Sequence, residues 1–245
     1  MKIQFIGSGD AFGSGGRFNT CFYVHADHSN FLIDCGASSM VALKANRIEL
    51  NDIRLILVTH FHADHFGGIP FFILDAQLIS KRTQPLTIAG PKGLKEWIER
   101  AMETGFPGSS KTKQKFDLSI VELTDRRLAI LNGLRITPFG VNHGMPDDSC
   151  FAYRIEVDDR IIAYTGDTEW TGNLIEVGRD ADLFIAEAYF YDKNVRNHLT
   201  YATIVDHLEE INPKRLVLTH MSNDMLSKVS DIPYETAEDG KIIEI

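Results

Sequence analysis

Four side chains that can bind a metal ion lie within six residues of one another, directly after an apolar run. They are His60, His62, Asp64 and His65, in the segment THFHADHFGG. The preceding residues 53–58 have the length and β-branched content of a buried strand, so the four side chains are predicted to lie on the loop at its carboxyl end. Imidazole and carboxylate groups suit zinc, manganese or iron, and the lack of a thiolate favours an open, reactive site over a closed structural one.

Three later segments repeat this arrangement of a strand followed by a ligand. The pairs are residues 135–141 with His143, residues 160–165 with Asp167, and residues 215–218 with His220. Because the carboxyl ends of neighbouring strands can meet at one rim of a sheet, we expect all four loops to converge. Together they supply seven ligands, which is enough for two metal ions. The alternative, a polar loop of hydrogen-bonded histidines, does not explain this repetition.

The HxHxDH spacing of the first cluster resembles the ligand motif of the metallo-β-lactamase superfamily, and the match covers nearly the whole chain. The resemblance implies an α/β fold, a four-layer αββα sandwich, in a single domain over residues 1–245. A boundary in the middle would also separate ligands that must meet. The resemblance further implies one metal on His60, His62 and His143, a second on Asp64, His65 and His220, and a bridging Asp167.

The opening of the chain narrows this resemblance to the ribonuclease Z branch. The matching segments are GSG at residues 7–9, RFNT at 17–20 and LIDCG at 32–36, although the GEGTQ that follows in that branch is missing. By the resemblance, Asp34 orients the ligand loop without touching the metals, and His198, Glu187 and Asp64 are the candidate catalytic residues. His198 would donate a proton and Glu187 would orient it. Lactamases with a cysteine ligand do not fit, nor do flavodiiron proteins, which carry Glu where His62 stands.

The short interval between His143 and Asp167 bears on the kind of substrate that the protein can bind. One hairpin, turning at Asp158 and Asp159, fills it, which leaves no room for the long arm with which bacterial ribonuclease Z proteins grip transfer RNA. The chain therefore resembles the compact phosphodiesterases of the same branch, such as those that open cyclic ribose phosphates. It lacks their additional cysteine-based zinc site, so their substrate does not carry over.

These features predict a hydrolase with two divalent metal ions, Zn or else Mn or Fe. We expect a phosphodiesterase for a small or cyclic phosphodiester or nucleotide, with in-line attack by a metal-bridging hydroxide. Three alternatives remain open: ribonuclease Z-like processing of RNA 3′ ends, hydrolysis of a thioester, lactone or β-lactam, and a metal-binding accessory protein without turnover.

Composition excludes some partners. The 245 residues carry a net charge of −9, which argues against a broad nucleic-acid surface, and no apolar stretch is long enough to cross a membrane. The three cysteines have no paired spacing and the N-terminus has no signal peptide, so a cytoplasmic location is expected, with a homodimer as a possible assembly. A lysine-rich loop is either a flap over an anionic substrate or a solvated surface loop; its cations are Lys111, Lys113 and Lys115.

Other elements follow from local patterns. Residues 92–104 are predicted to form an amphipathic helix with Trp97 in the core, and residues 201–211 a single helix. The Asp239-Gly240 turn is predicted to close a C-terminal hairpin. The glycine-rich residues 7–16 are either a structural loop near the site or a phosphate cradle, although their spacing is not that of a P-loop.

Overall fold

The computed structural model describes residues 1–144 and 149–245, and their strands form two sheets. The first six strands belong to the first sheet: β1 (Lys2–Gly7), β2 (Cys21–His25), β3 (Asn30–Ile33), β4 (Ile53–Leu57), β5 (Leu86–Gly90) and β6 (Leu118–Glu122). The next seven form the second sheet: β7 (Ala129–Leu131), β8 (Leu134–Gly140), β9 (Phe151–Val157), β10 (Arg160–Tyr164), β11 (Leu183–Glu187), β12 (Leu216–Thr219) and β13 (Glu235–Thr236). The last strand, β14 (Ile242–Glu244), returns to the first sheet beside β1.

Eight helices lie in the described part of the chain. They are α1 (Ser39–Ala45), α2 (Ala63–Phe66), α3 (Ile69–Leu78), α4 (Leu94–Gly105), α5 (Asn173–Gly178), α6 (Tyr201–Asp206), α7 (Leu208–Ile211) and α8 (Asn223–Leu226). In α4 the residues Leu94, Ile98 and Met102 recur every fourth position, and all three are buried against the first sheet. Such spacing places one apolar stripe toward the core.

Three apolar clusters define four layers. One cluster lies between the two sheets and includes Phe5, Phe22, Tyr153 and Tyr164. A second packs α1, α3 and α4 on the outer face of the first sheet, and a third packs α5 to α8 on the outer face of the second. Burial of each large apolar side chain contributes roughly 1.5–3 kcal/mol. The order of layers is helix, sheet, sheet, helix, which confirms the predicted αββα sandwich.

The strand directions bring the functional loops together. In the first sheet β3, β4, β5 and β6 are parallel, and in the second β10, β11, β12 and β13 are parallel. β9 and β10 form the predicted antiparallel hairpin. His60, His143, Asp167 and His220 follow the ends of β4, β8, β10 and β12, so the ligand loops leave the sheets at one rim.

The predicted C-terminal hairpin is wrong. β13 pairs with β12 in the second sheet and β14 pairs with β1 in the first, so the Asp239-Gly240 turn carries the chain from one sheet to the other. The Asp239 carboxylate explains this path, because it accepts hydrogen bonds from the Ser8 backbone N–H at 2.9 Å and the Phe18 N–H at 2.7 Å. The turn is thereby fixed to the glycine-rich loop.

Two helix predictions also need correction. The segment 201–211 is not one helix, because the backbone at His207 departs from helical geometry and separates α6 from α7. Trp97 is not in the core: it is 38% exposed, at the edge of the apolar stripe, and its ring stacks on Phe61 with 5.4 Å between ring centroids.

The glycine-rich loop packs closely on the chain that follows it. A Cβ atom at Gly7 would lie 2.0 Å from the Asn19 carbonyl oxygen, and one at Gly9 would lie 2.7 Å from the Arg17 Cβ atom. The buried Asp10 carboxylate holds the turn by accepting from the Ser14 N–H at 2.9 Å. These contacts fit the structural interpretation of the loop.

Cys21, Cys35 and Cys150 are buried thiols without a disulfide. Within the described ranges, none of the helices has the length and apolar character needed to span a bilayer.

Candidate metal centre and catalytic pair

The structure brings the seven predicted ligands into two adjacent groups. His60, His62 and His143 form one group, and Asp64, His65, Asp167 and His220 form the other; in each, the atoms that could bind a metal lie within 4.8 Å of one another. Six of the seven side chains are buried and His62 is exposed. The grouping agrees with the assignment implied by the superfamily resemblance.

In the first group, hydrogen bonds engage the Nδ1 atoms of His143 and His60 and leave their Nε2 atoms for a metal. His143 Nδ1 donates to the Asn197 carbonyl oxygen at 2.7 Å, so its Nε2 carries the lone pair. That Nε2 lies 3.0 Å from His62 Nδ1. His60 Nδ1 lies 3.1 Å from the Thr59 hydroxyl, whereas its buried Nε2 has no hydrogen-bond partner. A buried polar atom without a partner costs about 1–3 kcal/mol, so this arrangement calls for a ligand at the His60 nitrogen.

Asp34, at the end of β3, holds ligands of both groups. Its carboxylate accepts from the Thr59 N–H at 2.8 Å, from the Thr59 hydroxyl at 2.9 Å and from His65 Nδ1 at 2.7 Å. Because the Thr59 hydroxyl donates to Asp34, it can accept from His60 Nδ1–H. The completely buried Asp34 therefore orients His65 by direct contact and His60 through the Thr59 hydroxyl, as expected of a carboxylate behind metal ligands.

Asp167 lies between the two groups. Its Oδ1 is 3.2 Å from His65 Nε2, and its Oδ2 is 3.4 Å from His220 Nε2 and 3.8 Å from His143 Nε2. His220 Nε2 is also 3.2 Å from Asp64 Oδ2. The Asp167 carboxylate thus presents oxygens to imidazoles of both groups.

Protonation differs between the two groups. Burial lowers the pKa of His60 well below its usual range, and the positive charge of His65 adds to the effect. Burial also lowers the pKa of His62, and the nearby His143 lowers it further. Burial opposes protonation of His220 in the second group too, but the carboxylates of Asp167, Asp64 and Glu187 together outweigh it and raise the pKa of His220 to about 10. A metal ion binding there must displace that proton, so acid conditions weaken binding.

Glu187 and His198 form a hydrogen-bonded pair beside these groups. His198 Nδ1 contacts Glu187 Oε1, and the same oxygen lies 3.4 Å from His220 Nδ1. Glu187 Oε2 accepts from the Thr168 N–H at 2.9 Å and the Leu199 N–H at 3.3 Å, which holds the buried carboxylate in place. Burial disfavours the His198 cation, but the hydrogen bond and charge of Glu187 outweigh it and raise the pKa of His198. An imidazole of this kind can carry a proton to a reacting group.

A family model described as Anti-Pycsar protein Apyc1 matches residues 1–240. The chain belongs to this family.

Relatives of known structure or curated name place the family in the ribonuclease Z-like branch of the metallo-β-lactamase superfamily. Ribonuclease Z of Agathobacter rectalis is 25% identical, over all of this chain and 98% of its own length. The crystal structure of human tRNase Z, short form, is 26% identical, covers 100% of this chain and 99% of the human chain, and superposes with a TM-score of 0.79. A diphosphatase of the PhnP family is 21% identical, with 100% and 97% coverage and a TM-score of 0.78, and shows the same fold.

The predicted superfamily and branch are thus confirmed, and the chain is a metal-dependent hydrolase that acts on phosphoester bonds. The narrower Apyc1 family was not predicted from the sequence. Its site is suited to divalent metal ions, because neutral imidazoles and carboxylates converge around an unpartnered buried nitrogen. Cys150 does not add a thiolate, since burial and the nearby Asp167 raise the pKa of its thiol to about 12.

Sequence reasoning missed several supporting groups. The Asn197 carbonyl that orients His143 is a backbone atom, and any residue could supply it. Glu169, which holds the Asn197 N–H at 2.8 Å, lies outside every recognised motif. Tyr189 stacks on His198 with 4.5 Å between ring centroids. Its position two residues after Glu187, the last residue of β11, was the one feature of the sequence that could have indicated a place near the site.

Proposed function

We propose that this chain is a two-metal phosphodiesterase for a small phosphodiester, such as a cyclic phosphodiester or a nucleotide. The contact between His198 and Glu187, next to both ligand groups, is the observation that carries the proposal. An alkoxide leaves poorly from phosphorus at neutral pH, so its departure is accelerated by a proton donor at this position. Thioesters and β-lactams give no comparable reason for such a pair.

The ligands are assigned by the two groups. His60, His62 and His143 would hold one ion, Asp64, His65 and His220 the other, and Asp167 would bridge them. Zinc is our first choice and manganese or iron the alternatives, since all three accept imidazole and carboxylate. Bound ions of this kind acidify water and neutralise charge on phosphoryl oxygens.

The protein residues contribute orientation and proton transfer. Asp34 fixes the rotamers of His60 and His65, while Glu187 fixes the His198 imidazole with its Nδ1–H engaged. His198 is only partly buried, at 23% side-chain exposure, so its Nε2 can reach a leaving oxygen. Protonated His198 would give that oxygen its proton as the phosphorus–oxygen bond breaks.

A small substrate is favoured over RNA by the compactness of the chain. The alignment with the Agathobacter rectalis ribonuclease Z extends over 307 positions, whereas this chain has 245 residues, so the relative contains segments that this chain lacks. The predicted place of the missing arm is the interval from His143 to Asp167, part of which (residues 145–148) lies outside the described residues. Ribonuclease Z-like trimming of RNA is the second candidate, because the curated relatives carry that name.

Two further proposals concern partners and location. A homodimer is supported by an apolar surface on α1 and α3, where Val41, Leu78 and Ile79 are 65%, 61% and 69% exposed, because such surfaces usually mark a protein contact. The buried unpaired thiols support a cytoplasmic location. Whether the Lys111-Lys113-Lys115 loop contacts substrate remains a prediction.

Hydrolysis of a panel of substrates tests the proposal. Metal-loaded protein is incubated separately with bis(p-nitrophenyl) phosphate, 3′,5′-cyclic nucleotides, nitrocefin, an acyl thioester and a lactone. We expect turnover of the phosphodiesters alone, and its loss in His60→Ala. Preferential turnover of the lactam, thioester or lactone would refute the phosphodiesterase assignment, and no turnover of any substrate by protein with both ions bound would favour an accessory role.

A further inference from the structure

The backbone of Asn197 connects the proposed metal ligand His143 with the proposed proton donor His198. Its carbonyl oxygen accepts from His143 Nδ1 at 2.7 Å, and the next residue in the chain is His198. The two imidazole rings lie 5.0 Å apart between centroids, so a small movement of this peptide changes the environment of both. The segment belongs to the connection between β11 and α6, which contains exposed residues 192–194 and 196.

Glu169 holds the backbone of Asn197 from the other side, through the peptide that precedes this residue. Its Oε1 accepts from the Asn197 N–H at 2.8 Å, and its own backbone N–H donates to the Asn142 carbonyl oxygen at 2.8 Å. Glu169 therefore holds the residue before His143 and the residue before His198 at the same time. It also lies two positions after Asp167 in the same loop.

The backbone around this contact has little freedom. Asn197 has a φ of 70°, in the left-handed region that asparagine enters more readily than most other non-glycine residues. Gly144, also left-handed with a φ of 68°, lies against it, and a Cβ atom at Gly144 would be 2.6 Å from the Asn197 side-chain nitrogen. Without an acceptor for its N–H, Asn197 loses one of the contacts that hold its backbone in this left-handed conformation.

We propose that Glu169 is a positioning residue that, through the backbone of Asn197, orients His143 for metal binding and His198 for proton donation together. The inference rests on the proposed function, in which His143 is a metal ligand and His198 the donor. Loss of the Glu169 acceptor frees the Asn197 backbone to rotate, so the carbonyl that fixes the His143 ring turns away. The same movement displaces His198 from its contact with Glu187.

The experiment compares three substitutions of Glu169 with a matched control. Glu169→Ala removes the acceptor, Glu169→Asp keeps the charge but shortens the reach, and Glu169→Gln keeps an acceptor oxygen at the original distance. Glu122→Ala is the control, because Glu122 likewise accepts a backbone N–H, that of Gly93 at 3.0 Å, on the edge strand β6. Thermal unfolding followed by circular dichroism verifies that each variant is folded.

Two readouts separate positioning from a general structural effect. Zn²⁺ affinity is measured by competition with a chromophoric chelator, and kcat is measured at saturating Zn²⁺ for bis(p-nitrophenyl) phosphate and for 3′,5′-cyclic AMP, whose leaving group is an alkoxide. We expect Glu169→Ala and Glu169→Asp to weaken one Zn²⁺ site by about 10- to 100-fold, the usual effect of losing a group behind a ligand. At saturating Zn²⁺ we expect the cyclic nucleotide to lose at least about tenfold more kcat than the aryl ester.

Glu169→Gln is expected to retain most of the Zn²⁺ affinity and of the kcat for both substrates, and Glu122→Ala to leave both unchanged. Unchanged Zn²⁺ affinity in Glu169→Ala and Glu169→Asp, or equal loss for the two substrates, would overturn the inference while leaving the proposed function intact. A wild-type protein that binds two ions yet hydrolyses neither diester would refute the proposed function and the inference with it.

Discussion

At the scale of single residues, Glu187 connects the candidate proton donor with the candidate metal ligands. One carboxylate oxygen contacts His198 and lies 3.4 Å from His220, and the other accepts two backbone N–H groups. A buried carboxylate with every oxygen engaged has little freedom to rotate, and this rigidity is passed to the His198 ring. In the proposed mechanism, this rigidity would hold the His198 ring in place for proton transfer.

Replacement of His198 by alanine should reveal the type of leaving group that needs its proton. We expect His198→Ala to keep its bound metal and to lower kcat for an alkoxide leaving group by about 10²- to 10⁴-fold, the range of general acid catalysis. The loss for p-nitrophenolate should be clearly smaller, since that group departs without a proton. Rates for both substrates, measured with the metal content, decide this.

Glu187→Gln serves as the graded comparison in the same series, because it misorients the imidazole without removing it. It should give the same pattern with smaller losses. Equal losses for both leaving groups in His198→Ala, with metal content intact, would remove His198 from proton donation.

The convergence of the candidate ligand side chains could be predicted from sequence because their types are rare in such density and their spacing is fixed by a strand end. His60, His143, Asp167 and His220 each follow a run of apolar residues that can only be buried. The groups behind them were harder to predict. A backbone carbonyl such as that of Asn197 has no sequence signature, and Glu169 resembles any other surface glutamate until the fold places it.

At the scale of elements, the ends of parallel strands determine the site, and Asp34 is where two of them are joined. Asp34 follows β3 and binds the Thr59-His60 segment that follows β4. Its φ of 59° is left-handed, a conformation that aspartate adopts more readily than most residues. The strand end and the ligand loop are thus held together by one buried side chain.

Replacement of Asp34 should weaken metal binding beyond its effect on folding. We expect Asp34→Ala to lower Zn²⁺ affinity by about 10- to 100-fold, because His60 loses its orientation through Thr59 and His65 loses its Nδ1 partner. The measurement is chelator competition together with the unfolding midpoint.

Asp75→Ala is the matched control for this change. Asp75 is a buried aspartate on α3 that binds Lys44 and Ser80, so its loss should reduce stability without changing Zn²⁺ affinity. An Asp34→Ala variant with wild-type affinity would show that the carboxylate does not act on the ligands.

The ends of strands with strong apolar patterns were predicted within a residue or two. Which strands pair with each other was harder to predict, because pairing depends on residues far apart in the sequence. The turn at Asp239 reads locally as a hairpin, because the sequence shows two short strands around a glycine and cannot show that each pairs with a different sheet. The break at His207 depends on a distant contact as well: its ring lies 3.7 Å from that of Trp170, in a parallel stack. Such tertiary contacts override helix propensity.

At the scale of the whole molecule, the chain combines a ribonuclease Z-like core with a short length and a net charge of −9. Binding of long RNA relies on cations that neutralise phosphates, and the 25 lysines and arginines of this chain are outnumbered by 34 aspartates and glutamates. The small size of the chain and its negative charge therefore both favour a small substrate over long RNA.

Precursor transfer RNA should be a poor substrate. We expect little trimming of its 3′ end at physiological salt under conditions in which small phosphodiesters are cleaved, with a canonical ribonuclease Z as the positive control. Gel analysis of labelled precursor gives the result. Efficient trimming by this protein would support the RNA-processing alternative instead.

The most direct test of the account is hydrolysis of bis(p-nitrophenyl) phosphate as metal-free protein is titrated with Zn²⁺ or Mn²⁺. We predict that the rate rises until about two ions are bound per chain, the number determined by elemental analysis, and that Asp167→Ala binds at least one ion fewer and loses activity because a carboxylate between both groups is gone. Maximal activity with one ion or none, or two ions fully retained by Asp167→Ala, would contradict the two-metal site with a bridging Asp167.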